Sequence, residues 1–256
     1  MIRPPLCGRP PQSRRLPISD GRQGSPQWKP KADEQGKRPL RVLISAGPTR
    51  EPIDPVRFLS NYSTGYLGNC LVNEALKRGH RVTLVSGPTA ITPPQRATVV
   101  WVERAQEMHA ALRRQMRTAD VLIMAAAVCD FQPVTAQQKK LPRRGRLTLA
   151  LNATPDVVGC LPRRRGQLIV GFALETAGPL APARAKLRRK RLDVIVAQRI
   201  NGTGSPFGAR PVHAWLLDAR GAVKRLGRIS KPRLSRLLFD DIERRLKGAS
   251  RHFPAA

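Results

Sequence analysis

From residue 39 onward, short apolar runs alternate with amphipathic stretches, the pattern of an α/β protein. Six runs read as strands: Arg41–Ala46, Arg81–Ser86, Thr98–Glu103, Val121–Ala126, Leu168–Ala173 and Asp193–Ala197. Most are continuously apolar, as strands covered on both faces must be, which assigns them to a parallel sheet. Helices are predicted over Gly65–Arg78, Ala105–Met116, Leu180–Arg189 and Pro232–Lys247. In the first, Leu67, Leu71, Ala75 and Leu76 make one apolar stripe, Lys77 and Arg78 suit the negative end of the helix dipole, and Gly79 is placed to end it. Val212–Asp218 and Val223–Leu226, joined by Ala-Arg-Gly-Ala, read as a late antiparallel hairpin. The fold class is therefore α/β: a Rossmann-like, three-layer arrangement with a mostly parallel, doubly wound sheet and a late β-hairpin. Such a sheet binds ligands at the C-terminal ends of its strands.

Composition changes this picture mainly at the ends. Residues 1–38 are rich in Pro, Gly, Gln, Lys and Arg without a structural period, and read as a disordered basic extension to an α/β domain at 39–247; residues 248–256 read as a short tail. No apolar run approaches the roughly 20 residues of a membrane span, and the N-terminus lacks the apolar centre of a secretory signal, so a cytoplasmic protein is expected. Cys7, Cys70, Cys129 and Cys160 form no C-x-x-C pair, and His80, His109, His213 and His252 have no metal-ligand spacing. Cys129 reads as a small buried residue, not a nucleophile. The net charge of +30 attracts polyanions, but it runs the whole length of the chain, and 4% aromatics is too few for a base-stacking surface. Nucleic acid is expected to bind at most non-specifically.

Candidate chemistry gathers at the ends of the strands. The loop after the first strand, AGPTREPIDPVRFLSNYSTGYLG (46–68), is stiffened by three prolines and places Asn61, Ser63, Thr64 and Gly65 just before a helix. It lacks both the G-x-G-x-x-G of dinucleotide folds and the G-K-[ST] of a P-loop. Ser63 or Thr64 is a natural N-cap; equally, these hydroxyls and the free N–H groups of the helix suit an oligophosphate, and the local pattern leaves both readings open. The fourth strand ends in MAAAVCDF, where small residues admit a ligand to the backbone and Asp130 is placed to hold a metal ion or a ribose, or to serve a turn. Lys139, Lys140, Arg143 and Arg144 follow on a linker expected to be mobile. The fifth strand ends in GFALET, which brings Phe172 and a carboxylate to the same edge.

These segments, with RVTLVSGP, ATPDVV and RLDVIVA in the same order, resemble the phosphopantothenoylcysteine synthetase family over about Pro39 to Leu246. The resemblance implies a ligase of coenzyme A biosynthesis that activates 4′-phosphopantothenate as an acyl-nucleotidylate, using CTP or ATP with Mg²⁺, and then joins it to cysteine. It implies a homodimer and a stand-alone form with no flavin. By similarity Asn61 processes the acyl-nucleotidylate and Lys139 or Lys140 serves the first step. Gly47, Thr49, Ser63, Thr64 and Gly65 belong to the phosphate-binding loop, Ala126 and Phe172 contact the base, and Asp130 meets the nucleotide or its metal. The chain departs from the family at Tyr66, a position often held by lysine, at Ala153 in place of a lysine, and at Gln198-Arg199 in place of Asn-Asp. Two other readings compete: a nicotinamide-dependent reductase, suggested by Thr-Gly-Tyr-Leu-Gly, and a basic nucleic-acid-binding module.

Overall fold

The computed structural model describes residues 38–143, 145–200 and 206–250, with side chains as far as Lys247. The chain divides after Arg38, and the unit beginning at Pro39 holds all the elements below. The basic extension expected over residues 1–38 lies outside the described residues except for Arg38, and so does the tail from residue 251. The first half contains β1 (Arg41–Ala46), β2 (Arg50–Pro52), β3 (Phe58–Ser60), α1 (Tyr66–Lys77), β4 (Arg81–Ser86), β5 (Thr98–Trp101), α2 (Ala105–Gln115) and β6 (Val121–Met124). The second contains β7 (Phe131–Pro133), β8 (Leu151–Ala153), β9 (Leu168–Glu175), α3 (Leu180–Arg189), β10 (Val194–Arg199), β11 (Val212–Asp218), β12 (Val223–Ile229) and α4 (Lys231–Ser250).

Eight strands form one sheet in the order β12-β11-β10-β9-β6-β1-β4-β5. The six from β5 to β10 are parallel and the last two antiparallel, as the late hairpin requires. Alternation along each strand builds two cores. Val42 and Ile44 of β1, with Val121 and Ile123 of β6, pack against Leu71 and Val72 of α1 and Phe239 of α4. Leu43 and Leu122 point the other way, to Met108 and Leu112 of α2 and Leu187 of α3. The result is the expected three-layer fold. Strand order reverses at β1, with β4 and β5 on one side and β6, β9 and β10 on the other, which opens a crevice beyond the ends of β1 and β6. Among the described residues no helix is long and apolar enough to cross a membrane.

Two small hairpins were not expected. β2 pairs with β3 and β7 with β8, each over three residues. Prolines lie in both, and 17 residues separate β7 from β8, so no hairpin signal reaches the sequence. β2 is held by Glu51, whose buried carboxylate accepts the Ala105 N–H at 2.8 Å, at the positive end of α2. α1 starts one residue later than predicted because Gly65 sits at φ 76°, which is left-handed and cannot be helical. β6 stops at Met124 because the Ala126 N–H leaves the ladder for Ser45 Oγ, at 3.2 Å. α4 runs three residues past its predicted end at Lys247, into the expected tail.

Gly68 is the tightest contact between α1 and the sheet: a Cβ there would lie 2.3 Å from Ala46 Cβ. Gly68→Ala is therefore expected to push α1 off β1 and destabilise the fold by about 1–3 kcal/mol. Denaturant unfolding would register this as a lower midpoint; an unchanged midpoint would mean that helix and strand are further apart than described.

Candidate functional site

Beyond their ladder, β1 and β6 stay joined through the backbone. The Ala127 N–H donates to Gly47 O at 2.9 Å, and Ala127 O accepts the Thr49 N–H at 3.2 Å and the Asn61 side-chain amide at 2.8 Å. Thr49 is fully buried; its hydroxyl accepts the Cys129 N–H at 2.8 Å and its carbonyl accepts the Ser60 hydroxyl at 2.8 Å. Gly47, at φ 73°, has Gly87 O 2.9 Å from where a Cβ would stand. Gly47 and Thr49 thus build the loop and do not line the cavity described next. Cys129 is half-buried, not buried as the sequence suggested, with its thiol 3.1 Å from Phe131 O.

A cavity of about 620 Å³ opens at the strand ends. Asn61, Ser63, Thr64, Gly65, Ala126, Asp130 and Phe172 all line it, so most of the predicted constellation comes together. No side chain caps α1. The Ser63 hydroxyl accepts the Gly65 N–H at 3.3 Å and the Thr64 hydroxyl accepts the Tyr66 N–H at 3.4 Å, two short-range turns leading into a helix start with no acidic residue in its first turn. An anion at that end meets the positive pole of the helix. Lys139 and Lys140 do not line the cavity, and Arg144 lies outside the described residues.

Three lysines of the cavity, Lys186, Lys190 and Lys231, escaped the sequence reading, and Gln198, read there only as a departure from the family, lines it too. Lys186 Nζ donates to Phe172 O at 2.8 Å; burial lowers its pKa, and Lys190 lowers it further, against the pull of Asp130. Lys190 lies 2.5 Å from Asp156, whose pKa stays low because this ammonium and the Gly159 N–H outweigh burial. Lys231 begins α4, where a cation opposes the dipole; it is buried, and it donates to Pro206 O at 2.8 Å and Gly208 O at 2.5 Å. Gln198 is 6% exposed, and among the described residues its side-chain amide nitrogen has no hydrogen-bond partner. The i, i+4 spacing of Lys186 and Lys190 could have revealed one lysine face on α3, but a charged helix face more often meets only solvent.

Three lysines, an uncapped helix start and an orphaned amide donor make a receptor for an extended anion with polar acceptors. Among the described residues no group of three His, Cys, Asp or Glu could hold a metal ion. Asp130 alone suits a magnesium ion carried in on phosphate oxygens, and does not suit a resident metal.

Residues 37–246 match the family described as DNA/pantothenate metabolism flavoprotein C-terminal domain. The chain is 40% identical over 224 residues to the coenzyme A biosynthesis bifunctional protein CoaBC of Mycobacterium tuberculosis, a match covering 82% of this chain and 53% of that protein. It is 42% identical over 194 residues to a cysteine/cysteine sulfinic acid decarboxylase from an unknown prokaryotic organism, covering 74% of this chain and 54% of the relative. The chain thus spans about half the length of these curated relatives. The crystal structure of the C-terminal domain of CoaBC superposes with a TM-score of 0.70 at 35% identity, covering 83% of this chain and all of that one. A Cab2 mutant in complex with phosphopantothenate-cysteine shares the fold, with a TM-score of 0.66 at 16% identity over 83% of this chain and 88% of that one.

Lys186 gives a separable prediction. Between its lowered native pKa and its ordinary value of 10.5, the unfolded chain holds the extra proton, so stability should rise with pH through that window. Lys186→Met should remove this rise, keep or gain stability at neutral pH, and weaken binding of inorganic pyrophosphate about tenfold. Urea titrations across that pH range and calorimetry check both; a variant less stable at neutral pH with unchanged anion affinity would contradict the assignment.

Proposed function

The chain belongs to the DNA/pantothenate metabolism flavoprotein C-terminal domain family, and on that premise we propose that it is a phosphopantothenate–cysteine ligase acting through an acyl-nucleotidylate. One observation carries the reading: the uncapped start of α1, Lys186, Lys190 and Asp130 converge on one cavity, with Asn61 in its wall. The triphosphate would lie along α1 and the two lysines. The carboxylate of 4′-phosphopantothenate then attacks the α-phosphorus, pyrophosphate leaves, and negative charge on the phosphoryl oxygens is stabilised by fixed donors that need no reorganisation. In the second step the amine of cysteine attacks the acyl carbon, an amide forms, and the nucleoside monophosphate departs. Asn61, held by Ala127 O, positions the mixed anhydride.

Phe172 and Ala126 would flank the base, and the free amide hydrogens of Gln198 suit a carbonyl or ring nitrogen on it, which both CTP and ATP present. Mg²⁺ beside Asp130 would neutralise phosphate charge. Lys139 and Lys140 would act in the first step from outside the cavity wall. The ligase unit spans residues 39–247 and works in the cytoplasm. The decarboxylase activity in one relative's name is not carried over, since the family matched is that of the C-terminal domain and the solved C-terminal domain of CoaBC is covered in full.

Exposed apolar side chains on the two hairpins (Val56, Phe58, Tyr62, Phe131, Val134 and Leu151) support a homodimer through that face. Phe58→Glu with Phe131→Glu is expected to give a monomer in sedimentation velocity at micromolar concentration. A wild-type monomer would remove the dimer from the reading.

The reaction test is direct. The protein, Mg²⁺, phosphopantothenate, cysteine and CTP or ATP should release pyrophosphate and form the amide. No release with either nucleotide from folded protein would overturn the reading. Asn61→Asp should still release pyrophosphate but accumulate the acyl-nucleotidylate, which mass spectrometry detects.

A further inference from the structure

Lys139 and Lys140 are exposed, yet the chain on either side of them is tied down. Before them, the Gln137 N–H donates to Ile53 O at 2.9 Å. After them, the Leu141 N–H donates to Asp54 Oδ2 at 3.1 Å, and the Arg57 guanidinium donates to Leu141 O at 2.8 Å. Residues 138–140 therefore form a short arch pinned at both feet to the turn between β2 and β3.

Asp54 is 4% exposed, and its two oxygens have different work. Oδ1 makes the turn, accepting the Val56 N–H at 2.9 Å and the Arg57 N–H at 2.8 Å. Oδ2 faces outward from the turn, to the Arg57 side chain (Nε at 2.9 Å) and to Leu141. A turn needs only the first set. The second set joins a segment 87 residues away in sequence, and both of Leu141's backbone polar groups are taken by the same acid–base pair. The Arg57 guanidinium, with the surrounding N–H donors, holds the Asp54 carboxyl well below the usual carboxylate range, so the tie keeps its charge at any working pH.

The same hairpin leads out of β3 directly into Asn61. We propose that Asp54 and Arg57 are positioning residues that fix the base of the Lys139–Lys140 arch, so that one hairpin sets both these lysines and Asn61. The geometry of the tie stands by itself; its consequence for the first step rests on the ligase reading above.

The test uses the full-length chain and two readouts. By hydrogen exchange, the Gln137 and Leu141 amides of the wild type should exchange more slowly than those of residues 145–149, and Asp54→Ala should release Leu141. Asp54→Asn keeps the Oδ1 acceptor of the turn and replaces the Oδ2 acceptor of the Arg57 and Leu141 bonds with an N–H donor, leaving the arch sequence unchanged. It should keep its melting temperature yet lower kcat for pyrophosphate release by about tenfold or more. KM for the triphosphate should stay within about threefold, since the arch lies outside the cavity. Equal exchange in the two segments of the wild type, or an Asp54→Asn enzyme with wild-type kcat, overturns the proposal. A wild type that releases no pyrophosphate sinks the ligase reading instead, and the exchange comparison then decides the tie alone.

Discussion

The close approach of two backbones past the ends of β1 and β6 is the constraint on which the site depends. Ala127 accepts from Thr49 and Asn61 and donates to Gly47, so three parts of the chain are fixed by one residue's polar groups. On its other side the chain leaving β1 meets the chain leaving β4 with no space for side chains: a Cβ on Gly87 would stand 1.8 Å from Pro48 O. Glycine at 47 and 87 is therefore a steric requirement of this contact between the ends of β1 and β4. With its first part consumed in this joint, the loop projects as the β2–β3 hairpin and returns at Asn61, next to the α1 start. The hairpin reaches the lysine arch on its way out and the cavity on its way back. Rigidity of the joint is what makes positioning at both places possible.

Charge at the site follows a different logic from charge on the chain. Of the total of +30, most of the described Lys and Arg side chains outside the cavity are exposed to water, which screens them. Inside the cavity, screening is poorer and each cation has a specific reason to stay. Lys190 has Asp156, Lys231 has two backbone carbonyls, and Lys186 has one carbonyl and the distant Asp130. Burial still lowers the Lys186 pKa against the pull of Asp130 and Glu175, so a phosphate beside it would stabilise its charge. The same burial that disfavours the Lys186 charge would strengthen its attraction to an oligophosphate.

Much of the fold was legible because the strands are buried on both faces. The limits of β1, β4, α3 and β11 agree with the apolar runs. The three-residue hairpins were not legible, since they bury little and are held by Glu51, Asp54 and Thr49, polar residues whose partners are distant in sequence. The site divides similarly. Residues within one loop or at one strand end, such as Ser63, Gly65 and Asp130, could be read from local chemistry and face the cavity. Thr49 could not be told from a phosphate ligand, because a buried threonine bonded to a backbone N–H has the same local sequence as an exposed one. Lys186, Lys190 and Lys231 look like ordinary charged helix positions until α3 and α4 are packed against the sheet.

That packing also bears on the family lysine replaced by Ala153. Ala153 lines the cavity beside Thr154 and Asp156, and Asp156 is bound by Lys190 from α3. A lysine at 153 would add a third cation close to Lys186 and Lys190, where like charges already lower the Lys186 pKa. Its loss lightens that repulsion while the two α3 lysines keep the phosphate side of the cavity positive. Tyr66 works in the same direction at the other wall: its ring lies 5.9 Å from the Lys231 ammonium and gives that buried cation a favourable neighbour where a lysine would give a repulsive one. The departures are thus consistent with each other. Those at 153 and 66 each remove a positive charge beside a lysine that lines the cavity, whereas Gln198-Arg199 in place of Asn-Asp removes a carboxylate, so all three leave the cavity's own lysines with fewer charged neighbours or fewer competing partners.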